Sequence, residues 1–408
     1  AIGAGALATH NLTDNSSGYN TAVGYAAGTA LTTGLYNTLI GGLAGDALTD
    51  ADFNVAIGVV ALSTDTLGSK SIAIGHNTLN SQNFTTATDT HNIAIGFQAG
   101  TGITTGLYNT LVGGLAGDAL TDADYNTGLG YLALSTDTLG STSTAVGAFA
   151  LRDQNLTTAT DVYNTAVGYN AGGDVTVGFM NTLIGGLAGD ALTDADYNVA
   201  IGFHALGSDT LGSRSVAIGT NALFTQNFTS AFDTYNVAVG FDAGQLITTG
   251  GKNTLIGGQA GDALTGADFN TALGQQALTA DTLGSRSTAI GFAALSAQNF
   301  TTATNTYNVA IGHGAGGAVT TGVQNTIIGG LAGDALTDAD FNTAVGYIAL
   351  STDTLGSRST AVGYGALLTQ NFTTATDAYN TAVGHGAGVA ITTSVQSTLI
   401  GALSGDAI

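Results

Sequence analysis

The residues in this chain that could do chemistry recur at fixed intervals. The segment Gly45-Asp46-Ala47-Leu48-Thr49-Asp50-Ala51-Asp52 returns at Gly117, Gly189 and Gly333, and at Gly261 with Gly266 in place of one aspartate. Three carboxylates in seven residues are the hard oxygen ligands that Ca²⁺ gathers, which makes Asp46, Asp50 and Asp52 the calcium candidates. The cluster returns once per 72 residues and not in consecutive units, so stacked half-sites cannot form. Solvated turn aspartates are the favoured reading. No other cofactor is implied.

A second recurring segment is Asn83-Phe84-Thr85, which comes back at Asn155, Asn227-Phe228, Asn299-Phe300 and Asn371-Phe372, with Asn11 in phase. Formally these are glycosylation sequons. Their spacing reads better as a projecting loop, and such a loop is the best place for receptor contact. An aromatic precedes the Asn of many units, among them Tyr19, Tyr36, Phe53, Tyr108 and Tyr125. Stacked units align these rings into a ladder, which either presents flat faces to a glycan or covers apolar edges. A basic residue follows the Thr-Leu-Gly-Ser turn at Lys70, Arg214, Arg286 and Arg358, and pairing with an Asp of a neighbouring unit is expected. The six histidines share no constellation; His313 and His385 stand in a column that elsewhere holds Tyr25, Phe97, Tyr169 and Phe241, as ring-stacking substitutes. No Ser, His and Asp recur together and Glu is absent as an acid or base, so no enzyme is expected.

Composition narrows the class of elements that can hold these residues. Of 408 residues 62 are Gly, all 28 acids are Asp, and Pro, Cys and Trp are absent. The straight-chain helix formers Glu, Lys and Arg are nearly missing. A net charge of −22 opposes phosphate-driven nucleic-acid binding and adsorption to anionic membranes. No apolar run approaches 18 residues, so no membrane insertion is expected.

The elements themselves come from self-similarity. The unit Asn-(Thr/Val)-(Ala/Leu)-(Val/Ile)-Gly-x-x-Ala-(Gly/Leu) places glycines at 3, 24, 41, 58, 75, 96 and onward to 401, 23 in all. Their spacing cycles 21, 17, 17, 17, a super-repeat of 72 residues. Each unit is short, β-branched and closed by turn residues, which predicts one strand per turn of a parallel β-solenoid, a single repetitive domain over 1–408 with 23 rungs. The structural residues are Gly24, Gly41, Gly58 and Gly75 with Val23, Ile40, Ile57 and Ile74 before them. The residue preceding those, Ala22 or Ala56 for instance, points to the opposite strand face, so both faces are apolar. One face packs inside the coil and the other needs a second layer, most simply identical chains around an axis. The central glycine then serves close approach or positive φ, and the Ala three residues later suits a crowded axis.

With the motif laid out, Ser215-Val216-Ala217-Ile218-Gly219 and Asn342-Thr343-Ala344-Val345-Gly346-Tyr347 carry a resemblance to the head repeats of trimeric autotransporter adhesins of the YadA type. The chain is equally similar to repetitive stretches of phage and viral tail fibres. The resemblance covers the whole chain and implies a left-handed β-roll with three chains around one axis. Those heads commonly use shorter rungs, and no stalk, neck or membrane anchor occurs in these residues.

The sequence therefore points to an extracellular fibre segment, on a cell surface or virion, that spaces or mediates attachment as a homotrimer contacting a cell-surface or glycan receptor. Two alternatives stand beside it: a monomeric ice-binding solenoid and a matrix or sheath filament growing end to end. Both chain ends lie inside a rung, at Ala1-Ile2-Gly3 and Gly405-Asp406-Ala407-Ile408, and a piece of a longer fibre is expected.

Overall fold

The computed structural model describes residues 1–12 and 17–406, so the sequon at Asn11-Leu12-Thr13 and the terminal Ala407 and Ile408 reach outside the described residues. The chain forms two compact units, Ala1–Ala200 and Ile201–Ile408. Each is a parallel β-solenoid, and no helix occurs among the described residues.

In the first unit the strands Thr21–Val23, Thr38–Ile40, Val55–Ile57 and Ile72–Ile74 stack in register, with Ala22 opposite Leu39, Leu39 opposite Ala56 and Ala56 opposite Ala73. The turn from Ile72–Ile74 to its partner Ile93–Ile95 is longer, with Ala73 opposite Ala94. The second unit repeats the pattern from Val216–Ile218, paired with Val237–Val239, to Thr381–Val383, paired with Thr398–Ile400. Short second pairings, such as Gly68–Ser69 with Thr88–Asp89, anchor the longer turns. Each of these pairings is parallel, as the fixed spacing predicts.

Each strand is only three residues long because the central glycine ends it. Gly24, Gly41 and Gly58 adopt φ of 141°, 139° and 143°, a region closed to side chains. A Cβ on Gly41 would lie 2.3 Å from the carbonyl oxygen of Gly58, the next glycine in the stack. Close approach and positive φ both operate, and both act within one chain. The Ala three residues later, expected at an axis between chains, lies instead inside the coil: Ala27 and Ala44 have no exposed surface. Small side chains there answer the narrowness of a single coil.

The strand faces divide as one in, two out. Ala22, Leu39, Ala56 and Ala73 are buried in the coil, whereas Val23, Ile57 and Ile74 are half-buried on its outside and Ile40 is 36% exposed there. Within the core, volume is balanced between two columns. Leu39 fits because Gly28 and Gly45 flank it; a Cβ on either glycine would lie 2.6 or 2.8 Å from its methyls. The turns that carry Ala56 and Ala73 hold Leu62 and Leu79 in the glycine position, both fully buried. Leu39→Ala is thus expected to cost about 2–5 kcal/mol, and Leu39→Ala/Gly45→Leu to recover only part of that, because a Cβ at Gly45 also lies 2.8 Å from Leu48, where the neighbouring turns carry Asp65 and Gln82. Urea titration of both variants checks this; a double variant no better than the single would break the volume argument.

The Asn that opens each unit forms a buried ladder. Asn54 donates its side-chain amide to the Gly68 carbonyl at 2.9 Å and its N–H to Asn37 Oδ1 at 2.9 Å, while its own Oδ1 accepts the Ser71 N–H at 2.8 Å. The side chain satisfies backbone groups that three-residue strands leave open.

Candidate functional site

The Asn-Phe-Thr segments do not project as a whole. Phe84, Phe228, Phe300 and Phe372 are buried, as is Leu156 in the corresponding place after Asn155. The reason is a polar anchor beneath the loop. Asp65 Oδ1 accepts the N–H groups of Gly68 and Phe84, each at 3.1 Å, and its Oδ2 accepts Gln82 Nε2 at 2.5 Å. Gln82 Oε1 accepts Asn92 Nδ2 in turn. The aromatic is drawn down onto bare backbone: a Cβ on Gly356 would lie 2.7 Å from the Phe372 ring. Asn83, Asn155, Asn227, Asn299 and Asn371 are exposed, but their Oδ1 atoms accept threonine hydroxyls such as Thr66 Oγ1 at 3.3 Å and Thr354 Oγ1 at 3.2 Å. What projects is the segment after them, Thr85, Thr86 and Ala87 in the first copy.

The aspartate cluster does not converge. Asp50 Oδ1 accepts the Thr33 hydroxyl at 2.6 Å, and Asp52 Oδ1 accepts the Leu35 N–H at 2.7 Å. Asp46 Oδ1 is buried with no hydrogen-bond partner, as are Asp118 Oδ1 and Asp334 Oδ1. No three His, Cys, Asp or Glu side chains group together among the described residues. Asp50 and Asp52 each hold the turn before their own.

Burial pushes the carboxyls of Asp46, Asp118 and Asp334 above their ordinary range. Burial also raises Asp137, although the Gln154 amide and backbone N–H groups oppose it. A carboxyl raised in the fold binds its proton more tightly there than in the unfolded chain, so its contribution is full in acid and lost as pH rises through the folded-state value. Lowering pH also relieves the repulsion of a chain at −22. The melting temperature is therefore expected to rise between pH 7 and pH 4, against the usual acid destabilisation. Calorimetry at the two pH values decides it; a lower value at pH 4 contradicts the assignment.

The aromatic and basic residues prove to be one column. Tyr19, Tyr36 and Phe53 stack at 5.5 and 4.9 Å between centroids, and His91, Tyr108 and Tyr125 at 5.4 and 5.0 Å. Lys70 stands in the same position of its turn, because the N–H of each column residue donates one turn back: Phe53 to the Leu35 carbonyl, Lys70 to that of Asp52. The expected ion pairs form, Lys70 with Asp89 at 2.6 Å, Arg214 with Asp233 at 2.9 Å and Arg358 with Asp377 at 3.0 Å. Arg286 Nε meets Asn305 Oδ1 at 3.0 Å. Five of the six basic residues of the chain, Lys252 included, lie in this column. Its members adopt left-handed backbone, φ 58° at Phe53 and 62° at Lys70. That conformation costs a non-glycine residue about 1–2 kcal/mol, an amount that stacking of about 0.5–1.5 kcal/mol only partly offsets.

The second ring column also stacks. His76 lies 5.5 Å from Phe97, His313 5.2 Å from Phe292 and His385 5.0 Å from Tyr364. No family model and no curated protein matches the sequence.

Proposed function

We propose that the chain is a segment of an extracellular attachment fibre, on a virion or a bacterial surface, built as a homotrimeric left-handed β-roll with the 17, 17, 17, 21 cycle running through it. It spaces or mediates contact and catalyses nothing. The observation that carries this reading is the outward Val/Ile/Leu column, partly exposed in each repeat, with Ile40, Val112 and Ile184 36–37% open. A continuous apolar stripe of this kind exceeds what a soluble monomer ordinarily shows. Two further copies around an axis would cover it.

Light scattering tests this directly, with a mass near three times 40.1 kDa expected. The variant Ile57→Asp sharpens it. On a lone chain the new carboxylate faces water and costs little; between chains it is buried without a partner and the trimer dissociates. A wild-type monomer sinks the trimer. It would favour the second reading, a lattice-matching ice-binding face, whose support is the outward Thr21 and Thr38 column beside Val23 and Ile40. Thermal hysteresis of the purified protein reads that alternative.

A further inference from the structure

In the second unit the ladder changes character and alternates. From Arg214 to Gln396 the column reads Arg, Tyr, Lys, Phe, Arg, Tyr, Gln, Phe, Arg, Tyr, Gln, a ring at every other turn and a hydrogen-bond donor between. The column is continuous: Arg286 N–H donates to the Asp268 carbonyl, Phe341 to that of Val323 and Arg358 to that of Asp340. The Arg286 guanidinium lies 4.7 Å from the Phe269 ring centroid and 5.9 Å from Tyr307, and Arg358 lies 4.6 Å from Phe341 and 5.8 Å from Tyr379. Guanidinium and ring therefore continue one another along the outside of the coil. The four rings remain 41–52% exposed.

Every one of these positions is left-handed, with φ 60° at Phe269, 67° at Arg286 and 64° at Arg358. Glycine or asparagine would relieve the backbone. The core gains nothing from these side chains, since they lie outside it. Their reward is the contact of guanidinium with ring outside the coil, which offsets only part of that cost and leaves the ring faces open.

We propose that this column binds a neutral, extended polysaccharide of β-linked hexopyranoses. Rings at every second turn recur about every 10 Å, close to the disaccharide advance of such a chain. The aromatic faces stack on the apolar faces of alternate sugars. Guanidinium, ammonium and amide groups between them donate to ring hydroxyls, and Asp233 and Asp377 beside the ladder accept. Those two aspartates offset two of the four cations of the ladder, and Asp268 and Asp340, next to Phe269 and Phe341, add two more carboxylates. A polyanion would meet the repulsion of a chain at −22. The inference supplies the ligand for the attachment reading above.

Affinity electrophoresis of the full chain through gels holding glucomannan or hydroxyethyl cellulose tests it, with alginate as the polyanion. Retardation by a neutral polymer and none by alginate is expected. Phe269→Ala/Phe341→Ala should weaken retardation at least about tenfold, and Tyr347→Ala, a ring outside the ladder, should leave it unchanged. The double variant must melt like the parent; if it does not, the exposed Tyr379→Ala takes its place with the same expectation. No retardation by either neutral polymer, retardation by alginate alone, or equal loss in Tyr347→Ala overturns the proposal. Trimer mass is read separately: a trimer that is not retarded sinks this inference alone, and a retarded monomer sinks only the trimer.

Discussion

Replacing Gly58 by alanine is expected to break the stack at its own turn, at a cost of roughly 3 kcal/mol or more. Two independent obstacles meet there. The backbone sits at φ 143°, and the new methyl would lie 2.1 Å from the Gly75 carbonyl oxygen. Neither obstacle can be relieved by a rotamer, because the opposing atom is backbone and is held in its own stack by the Gly75 N–H bond to Ile57. Gly42 supplies the control, since a Cβ there would meet nothing within 4 Å. Gly42→Ala should be neutral within about 0.5 kcal/mol. Hydrogen exchange at the amides around Gly58, together with urea midpoints, measures both. Equal behaviour of the two variants would remove the case for the glycine stack.

The second large effect is expected at Asp65. Alanine there leaves the buried N–H groups of Gly68 and Phe84 without an acceptor and leaves the Gln82 amide only its bond to Ser71 Oγ. The expected loss is about 3–5 kcal/mol. Asp65→Asn keeps an oxygen for the two backbone donors but sets two amide NH₂ groups against each other. Rotating Gln82 to relieve that gives up its bond from Asn92, so a smaller loss of about 1–3 kcal/mol follows. Limited proteolysis gives a local readout, because Phe84 is held down by Asp65 and Thr85–Ala87 already projects. Cleavage that stays as slow in Asp65→Ala as in the parent would show that the anchor is something else.

The strand, its partner and its glycine were legible from spacing alone, because a parallel stack repeats each residue at the interval of the turn. Inside and outside were harder. Alternating apolar residues in Thr-Ala-Val say that two faces exist, but only the direction of the coil puts Ala22 in and Val23 out. The polar neighbours of Phe84 predict a projecting ring; the buried carboxylate that pulls it inward lies a turn earlier, at Asp65. Lys70 and Phe53 looked like separate features because the Asn that marks the unit is replaced by Ser71 in that turn. The pairing of Leu39 with Gly45 stays invisible until columns are aligned by turn. The Asn ladder had the clearest signal and the least obvious role, since a polar residue that opens every unit reads first as part of a turn.

The volume match between Leu39 and Gly45 also bears on how the length of such a chain can change. Excising residues 41–112, a block of 72, would join Ile40 to Gly113 and set Leu39 beside Gly117, which already flanks Leu111 in the same way. Every column would stay in phase. Excising the single turn 41–57 would instead bring Leu62 against Leu39, two large side chains where one has room. At this junction a whole block of four turns can therefore be removed without crowding the core, and the single turn cannot.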